Sequence, residues 1–104
     1  MIARIWRGVV RTDDADTYAK YIADTGFRAY GETPGNRGAW MLRNDEDGRT
    51  EFLTLSMWES LEAVKAFAGE DHEAAVLYPE DEQYLIETDP KVRHYEVVDR
   101  VGAD

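Results

Sequence analysis

The chain of 104 residues contains no cysteine. Disulfides, thiol nucleophiles and thiolate metal sites are therefore excluded. Basic residues are also scarce, because 12 Lys and Arg stand against 22 Asp and Glu, which gives a formal net charge of −10. Nucleic acids and anionic membrane surfaces bind clusters of positive charge, so we expect neither as a partner.

Long apolar stretches are missing as well. No run approaches the roughly 20 apolar residues that a membrane-spanning helix needs, and the amino terminus lacks the apolar core of a signal peptide. We therefore expect a cytoplasmic protein. The length predicts a single domain over residues 1–104. Because a domain this small buries little surface alone, pairing with a second copy is a reasonable expectation.

The pattern of the chain predicts strands and helices in the order β-α-β-β-α-β, which is typical of the ferredoxin-like α+β fold. Glycines, one proline and one asparagine predict a turn over Gly31–Gly38. The remaining elements are a strand over Ile2–Val10, a helix from Asp13 or Asp14 to about Thr25, strands over Ala39–Asn44 and Thr50–Trp58 joined by a hairpin, a helix from Ser60 to Gly69, helical pieces over Asp71–Tyr78 and Glu80–Leu85, and a strand over Lys91–Val98.

Three segments resemble a known family. They are Ser56–Ala63 followed by Ala66 and Phe67, then Ala75–Asp81, and finally His94–Val98. The first is similar to the strand-to-helix signature of the antibiotic biosynthesis monooxygenase superfamily, and the other two resemble a bacterial branch of it. The resemblance implies a dimeric α/β barrel, in which two sheets close on each other in a homodimer. It also implies a pocket between the sheet and the helices of each subunit.

The resemblance implies several chemistries. The family includes cofactor-free oxygenases of anthrone-like phenolic polycycles, quinol monooxygenases and haem-degrading enzymes. In the first group an Asn and a Trp four residues apart on the third strand point into the pocket; here Trp58 matches the Trp, whereas Thr54 stands in place of the Asn. The haem-degrading members use an Asn, a Trp and a His. The approximately matching positions here hold Trp6, Phe67 and Leu77, so none of these three residue types is present at its position.

These resemblances predict a cofactor-independent monooxygenase acting on a phenolic or polycyclic substrate, such as a small aromatic or polyketide-like molecule. A haem- or small-ligand-binding protein on the same scaffold is one alternative. A non-oxidative cyclase, lyase or isomerase is the other. Thr54 would donate a hydrogen bond to a substrate oxyanion, and Trp58 would hold the substrate ring.

Strand alternation divides the predicted strands into two faces. If Trp58 faces the pocket, then Phe52, Thr54 and Ser56 face it too, and the apolar Leu53, Leu55 and Met57 face a partner subunit. Matching the other strands by composition places Trp6, Trp40 and His94 on the pocket face, and Ile5, Met41 and Tyr95 on the dimer face. A shift of one residue in register would reverse any of these assignments.

Two histidines and one tyrosine are further site candidates. His94 lies on a predicted strand and titrates near neutral pH, so it is the natural general base; the alternative is a half-buried ring bonded to a carboxylate such as Glu96. His72 could reach the mouth of the pocket. Tyr78 could donate its phenol hydrogen at the pocket rim.

The remaining charged groups predict no further site. We expect Arg4 and Arg7 to form salt bridges. No His, Asp or Glu spacing indicates a metal site, and no glycine-rich loop leads from a strand into a helix to hold a nucleotide cofactor.

Overall fold

The computed structural model describes residues 1–102. The strands are β1 (Ile2–Arg11), β2 (Asn36–Glu46), β3 (Arg49–Trp58), β4 (Glu87–Thr88) and β5 (Arg93–Glu96), and the helices are α1 (Ala15–Asp24), α2 (Gly26–Glu32), α3 (Leu61–Ala68) and α4 (Asp81–Tyr84). None of the helices in this described range is long and apolar enough to cross a membrane.

The strands form one antiparallel sheet with β1 in its interior. The order is β2-β3-β1-β4, and β5 pairs with the same edge of β1 as β4 does. The two short strands β4 and β5 together occupy the place of the single last strand in a β-α-β-β-α-β fold. The predicted ferredoxin-like α+β class is therefore confirmed.

The hairpin between β2 and β3 turns at Asp47 and Gly48. Both residues have positive φ angles, of 52° and 77°. A two-residue turn of this kind matches the right-handed twist of the flanking strands, and Asp-Gly is one of its preferred sequences. The predicted hairpin is thus confirmed, and it fixes β2 beside β3.

The helices cover one face of the sheet. α1 turns Tyr18 and Ile22 into the core, and α3 does the same with Val64. The start of α3 is capped as the sequence predicts, because the Ser60 hydroxyl accepts a hydrogen bond from the backbone N–H of Ala63 at 3.2 Å.

The two faces of β3 differ in burial as strand alternation predicts. Phe52, Thr54, Ser56 and Trp58 are buried beneath the helices, whereas Leu53, Leu55 and Met57 lie on the opposite, partly exposed face. The pairing of β1 with β3 continues this division. Thr54 lies opposite Trp6 and Leu55 lies opposite Ile5.

The assignment of faces on β2 was wrong. Trp40 pairs with Leu55 and is 51% exposed on the open face of the sheet, while Met41 pairs with Thr54 and packs against the core. The pairing shifts between Asn36 and Ala39. Composition does not distinguish the two faces here, because two neighbouring apolar residues satisfy either register.

The helix predicted over Asp71–Tyr78 was also wrong, since the chain there is irregular. Its backbone groups bond to other parts of the molecule instead of to one another. The carbonyl of Glu73 accepts from the N–H of Val92 at 2.8 Å, and Ala74 forms an isolated bridge with Lys91. These contacts lay the segment across the edge of the helical layer.

Several element boundaries differ from the prediction, and β2 spans Asn36–Glu46 where Ala39–Asn44 was predicted. Gly26 does not end the helical region but begins α2, so the predicted turn at Gly31 starts one residue before the end of that helix at Glu32. The last strand is shorter than the predicted Lys91–Val98 and spans Arg93–Glu96.

Candidate active site

A cavity lies between the sheet and the helices, where the resemblance implies a pocket. Its volume is about 420 Å³, including the part of its mouth that is open to solvent. The space enclosed inside the mouth is only about 40 Å³, below the range for small-molecule sites, so a ring-sized ligand would need the lining to open. Its lining comes from β1 and β3 (Arg4, Trp6, Thr54), from α1 to α3 and the turn between the first two (Ile22, Thr25, Gly26, Phe27, Tyr30, Phe67), and from the irregular segment and α4 (Val76, Leu77, Tyr78, Asp81).

Aromatic rings form much of the wall. The rings of Tyr30 and Phe67 have centroids 4.8 Å apart, and Phe27 packs edge-on against Tyr30 at 6.1 Å. Behind them the fully buried Trp58 packs against Phe67 at 5.6 Å and donates its indole N–H to the hydroxyl of Ser56 at 2.9 Å. The wall is therefore suited to a flat apolar ligand.

A pair of hydroxyl groups lies among these rings. Tyr30 Oη and Thr54 Oγ1 are 3.1 Å apart, and either oxygen is able to donate the shared hydrogen. Both side chains are buried and both line the cavity. The hydroxyl that does not donate in this pair has its hydrogen free for a ligand oxygen.

Arg4 places a positive charge at the cavity. Its side chain is only 2% exposed, and Nη1 donates to the carbonyl of His72 at 2.7 Å and to Nε2 of His94 at 3.0 Å. The guanidinium carbon also lies 5.6 Å from the ring centre of Phe67, within cation–π range. Burial lowers the pKa of Arg4, and Tyr30 offsets this effect in part.

The contact with Arg4 defines the protonation of His94. Because a guanidinium only donates, Nε2 of His94 accepts and the ring proton lies on Nδ1. Burial lowers the pKa of His94 first, and the charges of Arg4 and His72 lower it further, so the ring is neutral at pH 7. His94 and His72 are neighbours, with ring centroids 5.3 Å apart, and both line a separate surface groove outside the cavity.

A buried carboxylate lies in another part of the cavity lining. Asp81 Oδ1 accepts from the hydroxyl of Tyr18 at 2.6 Å, and Oδ2 accepts from the backbone N–H of Tyr78 at 2.5 Å. Burial raises the pKa of Tyr78, with further contributions from Tyr30 and Asp81, so its phenol stays protonated. The carboxylate thus holds the irregular segment against α1.

The structure brings only some of the predicted site residues together. Thr54, Trp6 and Tyr78 line the cavity. The rings of Trp58 and Phe52 are buried in the core beside it, against Tyr30 and Tyr18 respectively. His94 and His72 lie on the far side of Arg4, and Trp40 lies on the opposite face of the sheet, so its predicted place in the pocket was wrong.

Sequence reasoning missed three polar members of the site. Arg4 was expected in a salt bridge, but within residues 1–102 it has no carboxylate partner, whereas Arg7 bonds Glu51, Glu87 and Asp89 as expected. The position of Arg4, two residues before Trp6 on the same strand, indicated that both side chains lie on the pocket face. Tyr30 and Asp81 gave no such signal, because Tyr30 lies between the predicted first helix and the predicted turn, and Asp81 lies in an acidic run.

Comparisons with known proteins support the fold. No protein-family model matches the chain, and no curated protein sequence matches it. Among solved structures, a protein of Bacillus cereus that is provisionally named an antibiotic biosynthesis monooxygenase superposes with a TM-score of 0.70 at 16% identity, over 98% of this chain and 97% of its own. A similarly named protein of Nitrosomonas europaea gives 0.67 at 20% identity, over 94% and 99%.

A third similar structure is that of a protein named for a different activity. The haem degrader MhuD of Mycobacterium tuberculosis, with two haems bound in its active site, superposes with a TM-score of 0.63 at 24% identity, over 98% of this chain and 100% of its own. Since every identity is below 25%, these matches concern the fold. The resemblance read from the sequence is confirmed at that level: the chain has the fold of the antibiotic biosynthesis monooxygenase superfamily.

Proposed function

We propose that this protein is a small-molecule enzyme that oxygenates a planar, electron-rich substrate in the cavity between its sheet and helices, without a cofactor. The observation that carries the proposal is the Tyr30–Thr54 hydroxyl pair, 3.1 Å apart within an aromatic wall. A phenolic or enolic substrate would place its ring against Phe67 and its oxygen at this pair.

The hydroxyl pair would favour the ionised substrate. An oxyanion that forms at a buried hydrogen-bond donor is stabilised more than it would be in water, and one such donor is worth about 10²-fold or more in rate. The electron-rich anion would then reduce O₂ directly. For a methylene carbon the balance is RCH₂R′ + O₂ → RCOR′ + H₂O, so one oxygen atom forms the new carbonyl and the other leaves in water.

The proton acceptor is one of two groups. His94 is the general base that the sequence predicts, but its Nε2 is bonded to Arg4 in this arrangement, so it would have to release Arg4 first. Asp81 lines the cavity, and its two observed hydrogen bonds leave carboxylate lone pairs available. Removing the true base should lower kcat by roughly 10²–10⁴-fold.

The cavity does not suit a haem held by histidine. Neither His72 nor His94 lines it; Nε2 of His94 is bonded to Arg4, and Nδ1 of His72 lies 3.2 Å from the carbonyl of Glu70. Within residues 1–102 no three His, Asp or Glu side chains are grouped so as to hold a metal ion. No step of the proposed reaction therefore passes through haem.

Oxygen uptake on a panel of anthrones and quinols tests the proposal. Thr54→Val removes the hydroxyl with little change in shape and should lower kcat by about 10²-fold. Thr50→Val is the matched control, because Thr50 is buried on the same face of β3 but bonds Thr12 and Asp45 near the hairpin. His94→Ala and Asp81→Asn then separate the two candidate bases.

Three outcomes would contradict the proposal. Conversion of substrate in the absence of O₂ would indicate a cyclase, lyase or isomerase. A Soret band on addition of haem, without oxygen uptake on any phenol, would indicate a haem-binding protein. Equal turnover by Thr54→Val and Thr50→Val would show that the hydroxyl pair takes no part in the reaction.

We also propose that the protein works as a homodimer paired through the open face of its sheet. Part of this face is apolar and includes Trp40, Leu42 and Tyr95, which are 51%, 45% and 48% exposed, whereas Arg7 and Glu51 form an ion pair elsewhere on it. Leu55 and Ile5 lie opposite each other at its centre. Exposed apolar side chains grouped on one face are typical of interaction surfaces, and a second copy of the same face would cover them.

Sedimentation of the purified protein should give twice the 11.9 kDa of one chain. Leu55→Asp should dissociate or unfold the dimer, because it buries an unpaired charge. Leu61→Asp is the control, since Leu61 is 37% exposed at the start of α3 on the other side of the sheet. A wild-type monomer at micromolar concentration, or a Leu55→Asp dimer of full stability, would refute the pairing.

A further inference from the structure

Arg4 is a buried cation with no anion beside it. It is 2% exposed, and no carboxylate of residues 1–102 lies within 4 Å of its guanidinium. Arg7, three positions along the same strand, is by contrast held by three carboxylates. A charge removed from water is costly unless it is paired, so the position of Arg4 indicates that a negative group is supplied from elsewhere.

One edge of the Arg4 guanidinium makes no hydrogen bond within residues 1–102. Nη1 makes both protein contacts, to the carbonyl of His72 and to Nε2 of His94. The buried Nε has no hydrogen-bond partner among residues 1–102. Arg4 lines the cavity, so a ligand that displaces the side chains covering Nε would find its N–H unpartnered. A guanidinium presents parallel N–H bonds that fit the two oxygens of a carboxylate.

A second unpartnered donor lies on the same face of β1. The indole Nε1 of Trp6 is buried and has no hydrogen-bond partner in the described chain. Trp6 follows Arg4 by two residues on the same face of β1 and lines the same cavity. The indole edge that carries Nε1 lies over Gly8, which is two residues beyond Trp6 on the strand, on the side away from Arg4. Buried polar groups almost always have a hydrogen-bond partner, so two unpartnered donors among the residues that line one cavity indicate a ligand that accepts hydrogen bonds.

The cavity also indicates how such a ligand would lie. Asp81 contributes the negative charge of the lining, but both of its oxygens already accept hydrogen bonds and it forms no ion pair with Arg4. The positive charge of Arg4 is therefore not neutralised by Asp81. Phe67 and Tyr30 pack against each other with ring centroids 4.8 Å apart, and the ring centre of Phe67 lies 5.6 Å from the guanidinium carbon of Arg4.

We infer that the cavity selects planar aromatic carboxylates, with the carboxylate on the guanidinium of Arg4. The inference rests on the proposed use of this cavity as the substrate site and adds the chemical class of the substrate. The hydroxyl pair of Tyr30 and Thr54 remains available to the reacting oxygen, so the charged group would anchor the ring and take no part in the oxidation.

Calorimetric titration with two matched probes tests the inference without any variant. Naphthalene-2-carboxylate and naphthalene-2-carboxamide have the same ring and nearly the same shape but differ in charge. A hydrogen bond to a charged group makes the carboxylate the tighter ligand by roughly 10- to 100-fold. The preference should disappear below the pKa of the ligand, where the carboxylate becomes neutral.

Variants at two arginines then locate the effect. Arg4→Met should remove the preference for the carboxylate. Arg4→Lys should keep part of it, because lysine has the positive charge but lacks the paired N–H bonds of the guanidinium. Arg7→Met is the matched control, since Arg7 lies on the open face of the sheet and should leave both affinities unchanged. Circular dichroism reports whether each variant is folded. If Arg4→Met is unfolded, the ratio of the two probe affinities in the wild type and in Arg4→Lys tests the inference instead.

The outcomes separate this inference from the proposed function. Equal binding of the two probes to the wild type would overturn the inference, while oxygen uptake on uncharged anthrones would still support the oxygenase. A carboxylate preference that Arg4→Lys and Arg4→Met leave intact would overturn it too. A preference lost on changing Arg4, in a protein that consumes no oxygen, would support the inference and refute the oxygenase. Binding of neither probe would overturn the ligand site itself.

Discussion

Removing one buried hydroxyl group, that of Tyr18, should destabilise the protein strongly. The Tyr18 side chain is fully buried, and its hydroxyl donates to Oδ1 of the buried Asp81 at 2.6 Å. Burial raises the pKa of Tyr18, and the hydrogen bond to Asp81 raises it further, so the hydroxyl remains a donor throughout the accessible pH range. Tyr18→Phe leaves the ring in place and deletes only this bond.

The magnitude follows from the charge of the acceptor. A hydrogen bond to a charged group contributes about 1.5–3 kcal/mol, and a buried carboxylate that loses a donor is not compensated by water. Tyr84→Phe is the matched control, because Tyr84 packs against Tyr18 at 5.4 Å in the same aromatic cluster and its hydroxyl has no hydrogen-bond partner within residues 1–102. We expect the control to change stability by less than about 0.5 kcal/mol.

Urea unfolding followed by circular dichroism measures both variants. The protein concentration must be the same throughout, because association changes the apparent stability. The free energy of unfolding of Tyr18→Phe should be lower than that of Tyr84→Phe by about 1.5 kcal/mol or more. If the two variants differ by less than about 0.5 kcal/mol, the bond to Asp81 does not hold α1 against the segment that covers the cavity.

Two further perturbations test other parts of the structure. Gly8→Ala should cost roughly 1–3 kcal/mol, because its Cβ would collide with the ring of Trp6 and lie 2.8 Å from Leu85, whereas Gly31→Ala meets open space and should cost nothing; equal stability of the two in thermal unfolding would refute the close packing. His94 has a lowered pKa, so its contribution to stability is present above the ordinary value of about 6.5 and is lost as pH falls through the folded value. His94→Gln should therefore flatten the loss of stability between pH 7.5 and 5.5, and an unchanged slope would show that the ring is not perturbed.

The sequence by itself determined the fold and the face of the strand at its centre. Alternation along β3 placed Phe52, Thr54 and Trp58 on one face and Leu55 on the other, because successive side chains of a strand point to opposite sides. The Asp-Gly hairpin and the Ser60 cap depend on neighbouring residues only, so they were also readable from the chain. These features are local, and local chemistry specifies them.

The tertiary structure decided which polar groups meet in the cavity. Arg4 contacts His94 from 90 positions away and the carbonyl of His72 from 68, and Tyr18 bonds Asp81 from 63. Nothing in the neighbouring sequence indicates such pairs, because each depends on how the segment after α3 folds back over the sheet. Trp40 shows the limit of composition, because the register that runs unbroken from the hairpin turn pairs it with Leu55 on the open face.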